Sequence, residues 1–186
     1  MRRTLLPALM ITLLLTGCGG AVPERKLESF RETLNAAQEI DLTADVTADL
    51  DGEAFQCTLR CTSTPGQTAV EVAAPETIAG IRALVDPEKL QIEYADVSLG
   101  VGGAAVMPSP VTALPALLQA LREGSCLRSW TEREGDKALC VREYYVTDDC
   151  TLTAWLDSAT LRPLYAELRQ GEKTAVRCEI REFAYR

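Results

Sequence analysis

From Ile40 to Leu50 the chain alternates without a break: Ile40, Leu42, Ala44, Val46, Ala48 and Leu50 are apolar, while Asp41, Thr43, Asp45, Thr47 and Asp49 are polar. A period of two places successive side chains on opposite faces, so this run predicts a strand with one face buried. Asp51-Gly52 follows, a pair favoured in two-residue hairpin turns. Closing the chain there opposes Leu50 to Glu53, Ala48 to Phe55, Val46 to Cys57, Ala44 to Leu59 and Leu42 to Cys61. The apolar faces of the two strands coincide. A slip of one residue would turn the whole set outward, so turn and pattern together specify the register.

The same reading extends along the chain. After Pro23, the spacing of Leu27, Phe30 and Leu34 predicts an amphipathic helix. Thr64-Pro65-Gly66-Gln67 is a turn leading into a strand from Thr68 to Ala73, which Ala74-Pro75 ends. Glu76 to Val85 reads as a turn followed by a strand, because Ile81, Ala83 and Val85 alternate with Arg82 and Leu84. Leu90 to Tyr94 alternates again, and Val97 to Leu99 continues the sheet. Gly100 to Pro110 is a connection that is apolar rather than polar, with Val101, Val106 and Met107. Ser109-Pro110 then suits a helix start, with Val111, Leu114, Leu117, Leu118 and Leu121 as a stripe and Gly124 as its stop. Pro115 within the stripe predicts a late start or a kink. The remainder reads as hairpins: Leu127 to Glu134, Lys137 to Val146, Cys150 to Asp157, Leu161 to Arg169 and Thr174 to Tyr185. In the last of these a plain two-residue loop at Gly171-Glu172 would set Val176 against Glu167. An odd-length loop or a bulge is therefore expected, bringing Leu168 and Ala166 opposite Val176 and Cys178.

Ahead of these elements, Arg2-Arg3 precedes an apolar run from Leu5 to Leu15 that ends in Leu15-Thr16-Gly17-Cys18. A basic start, a short apolar core and small residues at the cut make a secretory signal. A cysteine directly after Leu-Thr-Gly makes it a lipobox, in which the Cys18 thiol receives a diacylglyceryl group and becomes the new N-terminus. The alternatives are an uncleaved anchor or a plain signal with a chance cysteine. Against the anchor, the run contains Pro7 and falls short of the roughly 20 apolar residues that a spanning helix needs. The expected organisation is a signal peptide over 1–17, a lipidated tether over 18–23 and a single domain over 24–186. The expected location is extracytoplasmic, anchored to the bacterial membrane through the Cys18 lipid.

Charge narrows the partners. The formal net charge of −8 becomes two units more negative once Arg2 and Arg3 leave with the signal. Nucleic acid is not an expected partner, because neutralising phosphates needs a positive field. The chain has no histidine, which removes the usual general base, the usual zinc ligand and every Ser-His or Cys-His arrangement. No glycine-rich phosphate loop follows a strand, and Gly100-Val101-Gly102-Gly103 lacks the lysine of a nucleotide loop. No enzyme, cofactor or metal is expected. Asp41, Asp45 and Asp49 are spread along a strand face and cannot converge on one calcium ion. Cys57 and Cys61, four strand residues or about 13 Å apart, cannot bridge one another. Cys57, Cys61, Cys126, Cys140, Cys150 and Cys178 could pair otherwise in an exported protein. Several fall on apolar faces, where a free thiol behaves as a small hydrophobe, and both states remain open.

Taken together, the alternating strands and two helical stripes describe an α+β domain, mainly antiparallel β. The sheet of roughly ten strands curls as an unclosed half-barrel over two or three capping helices. Its inner face carries many small side chains, which can leave an apolar cavity or merely let the helices approach. The expected cavity residues are Phe55, Cys57, Leu59, Val106, Met107, Leu114, Leu117, Leu118 and Leu121.

The order of elements, with Ala74-Pro75-Glu76-Thr77-Ile78-Ala79-Gly80-Ile81 followed by Leu90-Gln91-Ile92-Glu93-Tyr94, resembles the LolA/LolB-type lipoprotein carriers and the LppX/LprG-type lipoproteins. The resemblance implies a half-barrel whose interior accepts acyl chains of lipids or lipoproteins, without catalysis. The chain departs from the soluble carriers in keeping a lipobox, so a membrane-tethered monomer that binds or transfers a hydrophobic ligand is the expectation. The alternative is a tethered protein-interaction or sensor domain with a packed core and no ligand.

Overall fold

The computed structural model describes residues 22–50, 52–86, 89–95, 97–102 and 108–186. Cys18, Val106 and Met107 lie outside the described residues. Helix α1 spans Glu24–Ala36 and is followed by strands β1 (Ile40–Leu50), β2 (Glu53–Thr64), β3 (Gln67–Ala74), β4 (Arg82–Val85), β5 (Lys89–Tyr94) and β6 (Val97–Gly102). Helix α2 (Pro110–Glu123) comes next, then β7 (Cys126–Glu134), β8 (Lys137–Thr147), β9 (Cys150–Asp157), β10 (Pro163–Gln170) and β11 (Lys173–Tyr185). The strands form one antiparallel sheet in the order β6-β5-β4-β3-β2-β1-β11-β10-β9-β8-β7. Among the described residues, eleven strands and two helices thus stand where about ten strands and two or three helices were expected.

The sheet consists of two meanders joined at their outer ends by α2 and at the sheet centre by the pairing of β1 with β11. Its free edges, β6 and β7, are consecutive strands of the chain, so α2 bridges the gap where a barrel would close. The β1–β2 register is the one that Asp51-Gly52 specifies, from Leu42 opposite Cys61 to Leu50 opposite Glu53. In the last hairpin Leu168 faces Val176 and Ala166 faces Cys178, with a register shift between Leu168 and Arg169. A plain turn would have left Val176 and Cys178 facing outward, and the extra residue restores the apolar face. Further shifts occur at Thr43/Ala44 and Thr58/Leu59. Such bulges bend strands and increase twist, which curls the sheet.

Helix α2 lies in the concave face and packs against β1 to β4 on one side and β8 to β11 on the other. It is therefore buried on most sides, which is why it is apolar beyond a single stripe: Ala113, Leu114, Ala116, Leu117, Leu118, Ala120 and Leu121 are all buried. Each fully buried leucine contributes about 1.5–3 kcal/mol relative to leaving it in water. The helix starts at Pro110 and runs through Pro115 to Glu123, rather than starting late. The start is held by a capping box, in which the Ser109 hydroxyl accepts from the Thr112 backbone N–H while the Thr112 hydroxyl accepts from that of Ser109. Helix α1 covers α2 through Leu27 and Leu34. The two helix C-termini cap each other. Arg122 Nε donates to the Leu34 carbonyl at 3.3 Å, Asn35 Nδ2 to the Arg122 carbonyl at 3.3 Å, and Arg31 Nη2 to the Gly124 carbonyl at 3.1 Å. These bonds satisfy carbonyls that have no partner within their own helices. No helix among the described residues is long and apolar enough to cross a membrane.

Candidate functional site

Backbone pairing defines an inward-facing row with one side chain per strand: Leu42, Cys61, Val70, Ala83, Ile92 and Leu99. Leu42, Cys61, Val70 and Ala83 are buried under α2, Ile92 is half-buried, and Leu99 is 62% exposed. Two more residues on this face of β5 and β6, Tyr94 and Val97, face each other and are 52% and 59% exposed. The alternation of the sequence thus continues to the sheet edge, whereas the helix that covers it does not. An apolar inner face extends past its cover.

Where cover gives out, a cleft of about 790 Å³ opens between α2 and the ends of the strands. One wall is the less buried side of α2, with Pro115, Ala116 and Gln119. A second is formed by the end of β2 and the start of β3, with Ser63 and Gln67, and by Val85 and Leu90 on β4 and β5. The third is the end of β8, with Tyr145 and Val146. Charge in the cleft comes from Asp86, Arg122 and Glu123. Arg122 is fixed at its base, where Nη1 donates to Ser63 Oγ at 3.2 Å while Nε holds α1. Leu90, which lines the cleft, shares the inner face of β5 with Ile92 and Tyr94, so cleft and exposed patch adjoin on one strand.

Among the expected cavity residues, Leu118 lines this cleft. Leu59, Leu114 and Leu117 are fully buried in the core, and Cys57 and Leu121 are buried with them. Phe55 is half-buried against the same core. Sequence reasoning did not count Leu90, Tyr94, Val97, Leu99 or Arg122 among the cavity residues. The alternation of Leu90, Ile92 and Tyr94 carried the inward direction of β5, but nothing local says how far α2 reaches.

The acidic row of β1 and the buried thiols need no ligand. Asp45 pairs with Arg181 at 2.6 Å and accepts from Thr58 at 2.9 Å. Asp49 pairs with Lys173 at 3.0 Å, and Asp41 accepts from Thr62 at 2.8 Å. The acidic row is thus a cross-strand ladder of hydrogen bonds and ion pairs. The six cysteines from Cys57 to Cys178 are free thiols, all buried except Cys126. Burial pushes the Cys57 thiol up to about 11 and those of Cys61 and Cys178 to about 12, so they are inert neutral groups of the core.

The class these features define is an open antiparallel half-barrel with a helix across its concave face. No protein-family model and no curated protein sequence matches the chain. Solved structures similar to it include a DUF1329 family protein from Desulfovibrio piger, at a TM-score of 0.55 and 10% identity over 89% of this chain and 94% of that one. An uncharacterized conserved protein from Thermus thermophilus has a TM-score of 0.54 and 11% identity over 88% and 87%. A LolA superfamily protein from Nitrosomonas europaea is similar at a TM-score of 0.45 and 13% identity over 90% and 94%. At such identities the likeness to the first two is one of fold.

Proposed function

We propose that the chain is a lipid-anchored, extracytoplasmic protein that binds an amphiphile with acyl chains, a lipid or an acylated protein. The apolar part lies on the uncovered inner face of β5 and β6, and the polar part lies in the adjoining cleft. The observation that carries this reading is the row from Ala83 to Leu99, in which an inward-facing apolar surface passes from full burial to exposure at a sheet edge. Contiguous exposed apolar surface is costly to leave in water and marks sites of interaction. Each methylene of an acyl chain buried there contributes about 0.8 kcal/mol. Location rests on the lipobox, with Cys18 as the acylated residue and residues 18–23 as the tether.

The test is extraction of the full chain in mild detergent, with lipid analysis of what accompanies it and titration with a fluorescent fatty acid. Saturable uptake supports the reading. Absence of both co-purifying lipid and uptake overturns it in favour of a tethered interaction domain, a reading that the fully packed core beneath α2 suits. For the anchor, Cys18→Ala is expected to release the protein from membranes and to lower its mass by the acyl groups. Unchanged retention and mass would refute lipidation.

A further inference from the structure

Arg142 is an inward-facing residue of β8, paired with Ala154 of β9, and it is only 6% exposed. A guanidinium taken out of water needs hydrogen bonds on all its edges and a close counter-charge. Arg142 has neither in full. Its Nη2 lies 3.6 Å from Glu24 Oε1, and that carboxylate is itself 69% exposed on the first turn of α1. Its Nε is buried and has no hydrogen-bond partner among the described residues. The Tyr144 ring lies 5.9 Å from the guanidinium carbon, and the Cys126 sulfur is a further neighbour.

Arg142, Tyr144 and Glu24 line a cavity of about 80 Å³ between α1 and the sheet, distinct from the large cleft, with Leu27, Phe30, Leu121 and Leu156 as its apolar walls. Arg31, on α1, lines it too and brings a second cation, with its Nη2 already donating to the Gly124 carbonyl and its other donors left for the site. The Tyr144 hydroxyl lies within electrostatic reach of both, and burial pushes it up to about 12, so it is a proton donor across the neutral range. Glu24 and Glu28 stand at the α1 side. The cavity is larger than the roughly 30 Å³ share of one water and admits one compact polyatomic group. Donors arranged as a planar fork, with a second cation and a hydroxyl beside it, match an oxyanion that accepts several hydrogen bonds at once.

We propose that this cavity is a site for a single oxyanion of the phosphate or sulfate class, free or as the acidic headgroup of a lipid. Arg142 supplies the fork, and Arg31 and the Tyr144 hydroxyl supply further donors. The Glu24 carboxylate stands at the near side of the site, and the anion displaces it. Glu24 therefore sets the affinity by competition.

The experiment is calorimetric titration of the full chain, in neutral detergent, with inorganic phosphate and with sulfate against a chloride control. One-site saturable binding is expected. Glu24→Gln is expected to tighten it, since a competing carboxylate is removed. Arg142→Met, which keeps the bulk of the stem, is expected to weaken binding about tenfold or more through loss of a charge-assisted pair. Near-ultraviolet circular dichroism checks that this variant folds. If it does not, Tyr144→Phe, which removes one donor and no volume, is expected to weaken binding severalfold. Competition by phosphatidylglycerol micelles, but not by phosphatidylcholine micelles, assigns the headgroup as the source, whereas phosphate binding undisturbed by either assigns the free ion. Either result upholds the site. The proposal is overturned if the wild type and Glu24→Gln show no saturable binding, or if binding is indifferent to both Arg142→Met and Tyr144→Phe.

Discussion

Ala83 and Leu99 lie in one inward-facing row, joined through Ile92, yet Ala83 is fully buried and Leu99 is 62% exposed. The difference is the reach of α2. Leu99→Asp is therefore expected to change folding stability by no more than about 0.5 kcal/mol, as a surface substitution does, while lowering the uptake of a fluorescent fatty acid. Leu117→Ala, under the same helix, is expected to cost about 2–5 kcal/mol because it leaves a cavity in a packed core. Urea denaturation of the two variants separates them. A loss for Leu99→Asp equal to that for Leu117→Ala would mean that the edge is covered in solution.

Gly124 ends α2 in an extended conformation with an ordinary negative φ of −61°, so its importance is not conformational freedom. A Cβ there would lie 2.7 Å from the Cα and carbonyl oxygen of Ala120 and 3.0 Å from Cδ1 of Tyr144. Backbone atoms cannot give way as a side-chain tip can. Gly124→Ala is expected to destabilise the fold by about 1–3 kcal/mol through overpacking, measured as a lower urea midpoint with an unchanged m-value.

Acid sensitivity follows from the carboxylates of the outer face. The hydrogen bond from Arg181, with a further one from Thr58, holds Asp45 below the usual carboxylate range against the opposing effect of burial. Hydrogen bonds led by the backbone N–H of Thr160 do the same for Asp157. A group whose pKa is lower in the folded state stabilises the fold above its unfolded value, and that stability is lost as pH falls through the folded value. Stability is thus expected to decline below about pH 4, with a shallower decline in Asp45→Asn. Thermal midpoints between neutral and strongly acidic pH are the readout, and an identical slope in the variant would remove Asp45 from the account.

Thiol labelling offers a contrast at the other end of the scale. Of the six cysteines from Cys57 to Cys178, only Cys126 is not buried, so a maleimide near pH 8 is expected to modify it first in the folded protein and all six after denaturation. The raised thiols of Cys57, Cys61 and Cys178 stabilise the fold below the ordinary thiol value of about 8.5. That contribution is lost as pH rises toward their folded values. Peptide mass mapping of the labelled protein checks the order, and prompt modification of Cys61 or Cys178 would contradict their burial.

Register was legible where two local signals agreed. Asp51-Gly52 and the alternation on either side of it specify Leu42 opposite Cys61. The mismatch that a plain turn would create at Gly171-Glu172 predicts the shift between Leu168 and Arg169, because an apolar face cannot be turned to water along a whole strand. Of the late start or kink that Pro115 suggested, the late start does not occur, because the effect of a proline depends on context. In a helix anchored by the Ser109 capping box and packed on eight strands, one lost backbone hydrogen bond neither delays nor ends the helix.

The candidate site was less legible than the fold. Leu59, Leu114 and Leu117 carry the strongest apolar pattern and are for that reason the core, whereas the uncovered residues lie on the short strands β5 and β6, whose pattern is no different in kind. Exposure of Leu99, and the meeting of Arg142, Arg31, Tyr144 and Glu24 in one cavity, join residues far apart in the chain. By itself the sequence determined which face of each strand points inward and where the hairpins turn. Only the tertiary structure decided how far α2 covers that inward face, because coverage depends on the length and placement of a helix packed across strands from both halves of the chain, and no periodicity within a single strand encodes it.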